Sequence, residues 1–160
     1  MTDFESLLKH LKNHGIDFVI VGGYAVMSHG STLVTQDLDL CFDLSSDNVL
    51  KIAQALKPFN PVHRMPSHRP PFEVSPETAT GWENLYLQTD LGVIDCLGEV
   101  LGLGAYSEVV KYSVEMDFDD FRCRILSLDG IIRAKEAMDR PKDREAVIQL
   151  KAIREKAQES

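Results

Sequence analysis

Three aspartates and a pair of glycines are the residues of this chain whose types and spacing could do chemistry. The stretch 21–40, VGGYAVMSHGSTLVTQDLDL, puts Gly22 and Gly23 directly after an apolar run and places Asp37 and Asp39 one residue apart in the next. In a strand, residues two apart project from the same face, about 6.5–7 Å from each other along the chain. Asp37, Asp39 and Cys41 therefore share one face of QDLDLCFD, and Leu38, Leu40 and Phe42 the other. Further on, in GVIDCLGEV, Asp95 shares a face with Val93 and Leu97, a single acid among apolar neighbours. Asp95 joins Asp37 and Asp39 if its strand is a neighbour of theirs; ionised carboxylates in a dry interior are strongly disfavoured, so three of them meeting at one place would require cations between them. Hard, oxygen-preferring Mg²⁺ is the usual solution where phosphate is also a ligand. Two such ions about 3.5–4 Å apart stabilise both the attacking and the leaving oxygen of an in-line phosphoryl displacement. The glycines supply the other half of such a site. Without Cβ atoms, Gly22 and Gly23 let backbone N–H groups approach phosphate oxygens, and a helix starting near Tyr24 turns its positive end to the same place.

The elements that must position these residues are legible from periodicity. Thr2 and Glu5 have capping-box spacing, Phe4, Leu7, Leu8 and Leu11 form an apolar stripe, and Gly15 is a stop, which predicts a helix over about 3–14. DFVIVGG (17–23) reads as a strand buried on both faces. A short helix over Tyr24–His29, ended by Gly30, precedes the DxD strand, and Ser45 or Ser46 caps a helix to about Leu56. Residues 58–80, with six prolines, read as a long loop, a length that is usually functional or disordered. ENLYLQTD and GVIDCLGEV form a hairpin turning at Asp90–Gly92, a helical piece follows around Ala105–Val110, and SVEM pairs with FRCRILSL across Asp117–Asp120. Ser127 caps a helix to about Met138, and Pro141 opens a last helix reaching about Lys156. The expected class is α+β: a mixed sheet flanked by helices in one domain, 1–160, with 1–128 forming sheet and helices and 129–160 a C-terminal helical pair.

Bulk composition narrows the function classes. The chain has 160 residues and a formal charge of −8, which argues against a general nucleic-acid coat. The charge is uneven, with 9 basic and 18 acidic residues over 1–128 against 8 and 7 over 129–160, so a patch meeting an anion draws on the C-terminal segment or on the His63, Arg64, His68, Arg69 loop. Cys41, Cys96 and Cys123 share no metal or disulfide spacing and read as small core residues in a reducing, cytoplasmic setting. No apolar run approaches the ~18 residues of a membrane span.

Val21-Gly22-Gly23, thirteen residues, then Asp37-Leu38-Asp39-Leu40 resembles the signature of the nucleotidyltransferase superfamily that includes DNA polymerase beta. GGYAVMSHG is similar to the minimal nucleotidyltransferases, including relatives of the AbiEii abortive-infection toxins, and LSLDGIIRAKEAMDRPKD (126–143) resembles a stretch common in that group. The resemblance implies that Asp37 and Asp39 bind two Mg²⁺ ions, with Mn²⁺ as a substitute, and that Asp95 binds the catalytic ion and orients the incoming hydroxyl. It implies that Gly22 and Gly23 hold the phosphates of an NTP and that Lys135 and Lys142 neutralise the triphosphate or shape the cleft. The implied reaction moves a nucleoside monophosphate to an acceptor hydroxyl, on RNA, protein or a small molecule, with pyrophosphate leaving. Leu33 and Gln36 stand where relatives often carry basic residues, and Gly23 where the turn often ends in Ser. These departures leave room for a second reading, a regulatory member of a toxin–antitoxin pair that binds a partner toxin or antitoxin. His29 reads as a helix end packed near the turn, the 58–80 loop as a solvated segment or a lid, and Asp117, Asp119 and Asp120 as solvated turn residues.

Overall fold

The computed structural model describes residues 2–30 and 36–159, so Leu33 lies outside the described residues. In chain order the elements are α1 (Phe4–Asn13), β1 (Val19–Val21), α2 (Gly22–Ser28), β2 (Asp37–Cys41), α3 (Ser46–Leu56), β3 (Val62–His63), β4 (Asn84–Thr89), β5 (Gly92–Leu97), β6 (Glu99–Val100), β7 (Gly104–Ala105), α4 (Tyr106–Val109), β8 (Ser113–Asp117), β9 (Arg122–Leu126), α5 (Leu128–Met138) and α6 (Pro141–Gln158). Among the described residues seven strands make one mixed sheet in the order β3-β4-β5-β2-β1-β9-β8, and β6 and β7 make a small separate ribbon. The β5–β2 and β1–β9 pairs are parallel and the others antiparallel. This is the expected α+β class.

The apolar stripes become the core. Leu7, Leu8 and Leu11 of α1, Val49, Ile52 and Leu56 of α3, and Leu38 and Leu40 of β2 are all fully buried. Because side chains alternate along β2, burying Leu38 and Leu40 leaves Asp37 and Asp39 half-buried on the opposite face. Packing of one face thus dictates where the acids stand.

Several local expectations are corrected. Asp3, not Thr2, caps α1: its carboxylate accepts the Ser6 backbone N–H at 3.1 Å and the Ser6 hydroxyl at 2.7 Å. α2 begins at Gly22 rather than Tyr24. The 58–80 segment is not a bare loop. A 3₁₀ turn over Lys57–Phe59 leads into β3, an edge strand that pairs with β4 and makes a further bridge from Val62 to Pro71. Its aromatic packing holds it in place, with the His63 ring stacked on Trp82 at 5.5 Å and edge-on to Phe72 at 5.4 Å. Ser127 caps α5 through Gly130 as expected, and Ser45 caps α3.

The turn between α5 and α6 is fastened by one buried acid. Asp143 is 0% exposed; its carboxylate accepts the Arg140 backbone N–H at 3.2 Å and the Arg140 side chain at 2.5 Å, and lies 3.4 Å from the Lys135 ammonium. The hydrogen bonds from Arg140 lead the forces that hold its carboxyl down to about 2, against an ordinary 3.8. Asp143 therefore stays charged in the folded chain where the unfolded chain is already protonated, and its contribution is complete above pH ~4 and lost as pH falls toward 2. Asp143→Ala is expected to lower the melting temperature by a few degrees at pH 7, with the difference from the parent shrinking between pH 4 and 2; thermal melts across that range test it.

Candidate active site

One transverse row of residues crosses four strands. In the observed register Val21 of β1 stands opposite Asp39 of β2, Asp39 opposite Asp95 of β5, and Asp95 opposite Tyr86 of β4. Directly paired residues on neighbouring strands point to the same face. The parallel β2–β5 pairing therefore sets Asp39 beside Asp95, and Asp37 follows two residues away along β2, opposite Val93. The three aspartates singled out from sequence are brought to one face. Asp95 is 7% exposed, whereas Asp37 and Asp39 are half-buried.

Immediately after Val21 the chain turns over Asp39. Gly22 has φ +68, and a Cβ placed there would lie 2.1 Å from the Asp39 Oδ2 and 2.8 Å from its Cγ. The glycine is thus required twice, by a left-handed backbone and by the carboxylate that fills the space a side chain would take. The likeness of charge is felt most by Asp39. Burial first, then the charges of Asp95 and Asp37 and a side-chain hydrogen bond with Asp95, push its carboxyl from 3.8 up to about 7, with Arg64 pulling the other way.

Arg64, from the segment expected to be a solvated loop or a lid, joins the row. It directly follows β3, where its backbone N–H donates to the Tyr86 carbonyl at 3.0 Å, so it extends the transverse row by one position. Its guanidinium grips Asp95 with Nε to Oδ1 at 3.1 Å, Nη2 to Oδ1 at 2.7 Å and Nη2 to Oδ2 at 2.6 Å, and lies over the Tyr86 ring 5.4 Å from its centroid. No local signal marks it, because Arg64 and Asp95 are 31 residues apart and meet only through the pairing of β3, β4 and β5. His68 and Arg69 stay exposed, with Arg69 donating to Gln88 at 2.8 Å.

Two hollows flank the acids. One of about 150 Å³ is lined by Val21, Gly22, Asp39, Glu99, Leu126 and Lys135 among others; the second, about 690 Å³, is lined by Asp37, Gln36, Gln88, Thr89 and Asp90 among others. Lys135 thus shares a cavity with Gly22 and Asp39, its ammonium steered by Asp143, while Lys142 is exposed on the first turn of α6 and lines neither hollow. His29 hydrogen-bonds the Leu126 carbonyl at 2.9 Å and ties the end of α2 to β9. Asp117 and Asp120 pair with Arg122 and Lys9 at the surface, and the three cysteines are buried free thiols.

The donor set suits a hard divalent cation: carboxylate oxygens only, with Asp39 burdened by neighbouring negative charge. Among the described residues, however, no three His, Cys, Asp or Glu side chains are grouped so as to hold a metal ion as they stand. Asp95 has turned its oxygens to Arg64. The chemistry of the three carboxylates suits such an ion, and Asp95 would have to give up Arg64 to join it.

Residues 1–51 match the family described as "nucleotidyl transferase of unknown function (DUF2204)". The matched segment contains Gly22, Gly23, Asp37 and Asp39 and ends before Arg64 and Asp95. The chain superposes on a "putative nucleotidyltransferase" from Thermotoga maritima with TM-score 0.55 and 16% identity, covering 100% of this chain and 97% of that one. It superposes on the lincosamide antibiotic adenylyltransferase LnuA, in a lincomycin-bound structure, with TM-score 0.59 and 17% identity, covering 94% and 95%. The chain shares the fold of these two structures. No curated protein has a significantly similar sequence. Within the nucleotidyltransferase fold of this chain, the paired-glycine turn and the DxD strand fall in the segment that the family match covers, and Asp95 is added by sheet register.

Two outcomes follow for the metal-free protein. Asp39 has a folded pKa above its unfolded one, so its charge costs stability progressively as pH rises from about 4 to 7. Asp39→Asn is expected to stabilise the chain at pH 8 by a few kcal/mol at most and by almost nothing near pH 4, measured by denaturant unfolding in EDTA. Gly22→Ala combines about 1–2 kcal/mol of left-handed strain with a clash that displaces Asp39, so a loss of at least ~2 kcal/mol is expected in the same measurement.

Proposed function

We propose that this chain is a nucleotidyltransferase that moves a nucleoside monophosphate from an NTP to an acceptor hydroxyl, releasing pyrophosphate. The observation that carries the reading is the β2–β5 register, which puts Asp39 opposite Asp95 beside the Gly22 turn. Asp37 and Asp39, joined by Asp95, would hold the divalent cations. Two bound Mg²⁺ ions, or Mn²⁺ in their place, would offset the charge of carboxylates and phosphates and stabilise the attacking and leaving oxygens. The residues of the chain supply position and polarity. Backbone N–H groups of the Gly22-Gly23 turn would hold the phosphates, Lys135 adds a positive charge at the cavity that Gly22 and Asp39 line, and Lys142 stands outside it. Asp95, once released by Arg64, would accept a hydrogen bond from the acceptor hydroxyl and take up its proton. Positioning and charge compensation then account for most of the rate, as in other phosphoryl transfers.

RNA, protein and small molecules are all open as acceptors; the similar lincosamide antibiotic adenylyltransferase, bound to lincomycin, puts small molecules among those worth testing first. A second reading, a regulatory nucleotidyltransferase-fold protein that binds a partner toxin or antitoxin, draws support from one observation, the closure of Asp95 by Arg64.

Incubation with each labelled NTP, Mg²⁺ or Mn²⁺, and the three acceptor classes separates the two. The enzyme reading expects label transfer that falls at least ~100-fold in Asp37→Asn, Asp39→Asn and Asp95→Asn while the folded fraction is kept. Absence of any Mg²⁺–NTP binding by calorimetry would sink it and favour the partner-binding reading.

A further inference from the structure

The cation that compensates Asp95 in the metal-free chain is already in the structure. Asp95 is almost fully buried, and both of its oxygens are taken by the Arg64 guanidinium at 2.6–3.1 Å, the two-pronged geometry in which Arg matches a carboxylate best. Asp95 is also the acid that stands directly beside Asp39, so its oxygens are the ones a cation shared between β2 and β5 would need. One pair of oxygens cannot serve both. Arg64 is built to be released: its side chain is 25% exposed, it directly follows a two-residue edge strand, and the residue after it, Met65, is 65% exposed. Tyr86 gives the guanidinium a flat surface on which it can slide without losing its stacking contact.

We propose that Arg64 is an exchangeable counter-ion of Asp95: it holds the carboxylate in the metal-free chain and gives it up to a divalent cation, so that metal loading and opening of the Arg64–Asp95 pair are one event. This rests on the function proposed above, since it takes Asp95 as a metal ligand. Arg64 is a positioning residue in this scheme, acting through Asp95. The pair sets a threshold: weakly held ions are kept out, and the site closes on itself when no metal is present.

The consequence has a sign that an ordinary structural ion pair does not. Removing Arg64 should weaken the fold without metal and strengthen metal binding. The test is Mn²⁺ binding to the full chain without nucleotide, by electron paramagnetic resonance and calorimetry, in the parent, Arg64→Ala, Arg64→Gln and Arg64→Lys. Melting temperature in EDTA and in Mn²⁺ is recorded alongside. Expected is Mn²⁺ affinity about tenfold or more higher in Arg64→Ala and Arg64→Gln, equivalent to about 1.4 kcal/mol, with Arg64→Lys between these and the parent. A larger Mn²⁺-induced rise in melting temperature should accompany it, and Asp95→Asn in the Arg64→Ala background should abolish the gain. If Arg64→Ala unfolds in EDTA, Arg64→Gln, which keeps a hydrogen-bond donor for Asp95, carries the comparison. Unchanged or weaker Mn²⁺ affinity in both variants, with parent binding that depends on Asp39, overturns the counter-ion exchange and leaves the proposed function standing. If neither parent nor variants bind Mn²⁺, and Asp39→Asn changes nothing, the functional reading fails and takes this inference with it.

Discussion

The structure is organised around like charges forced into contact. The parallel pairing of β2 with β5 sets Asp39 against Asp95 at strand spacing, about 4.8 Å, and the alternation of β2 adds Asp37 on the same face. In a half-buried setting such an arrangement is unfavourable unless it is compensated. Much of what surrounds it is compensation. The chain crosses Asp39 on a residue with no side chain, Arg64 clamps Asp95, and Asp39 is driven toward a protonated state near neutral pH.

The remainder of the fold makes that arrangement hard to avoid. Leu38 and Leu40 are fully buried, so β2 cannot rotate its acids outward without exposing its apolar face. A slip of register by one residue would exchange the two faces at still greater cost. The C-terminal helices add a second level of positioning, because the buried carboxylate that caps α6 also steers Lys135, whose side chain reaches the cavity beside Gly22 and Asp39. A helix cap and the placement of a potential phosphate-binding cation are therefore one structural unit.

Charge placement also explains how an acidic chain could receive the anionic nucleotide proposed for it. The net charge of −8 is concentrated before residue 129, and the charged side chains that line the hollow beside Gly22 are Asp39, Glu99 and Lys135. Arg64 stands at the opposite end of the same row, so basic side chains flank the acids on both sides.

Residues 17–43 and 126–143 were informative by themselves because their signals are local. Strand alternation assigned Asp37 and Asp39 to one face, Ser127 and Pro141 marked helix starts, and the spacing from the glycine pair to the DxD carried the family resemblance that the fold bears out. The cap of α1 was misplaced by one residue because Thr2 and Asp3 are adjacent cap candidates, and the start of α2 by two because no side chain caps it and the helix opens on Gly22 itself. Tertiary structure alone decided the rest. That Asp95 lies beside Asp39, that Gly22 is needed by a carboxylate, that the 58–80 segment contributes an edge strand, and that Arg64 closes the row are consequences of sheet order. Sheet order joins residues tens of positions apart through backbone hydrogen bonds, which carry no imprint in side-chain spacing.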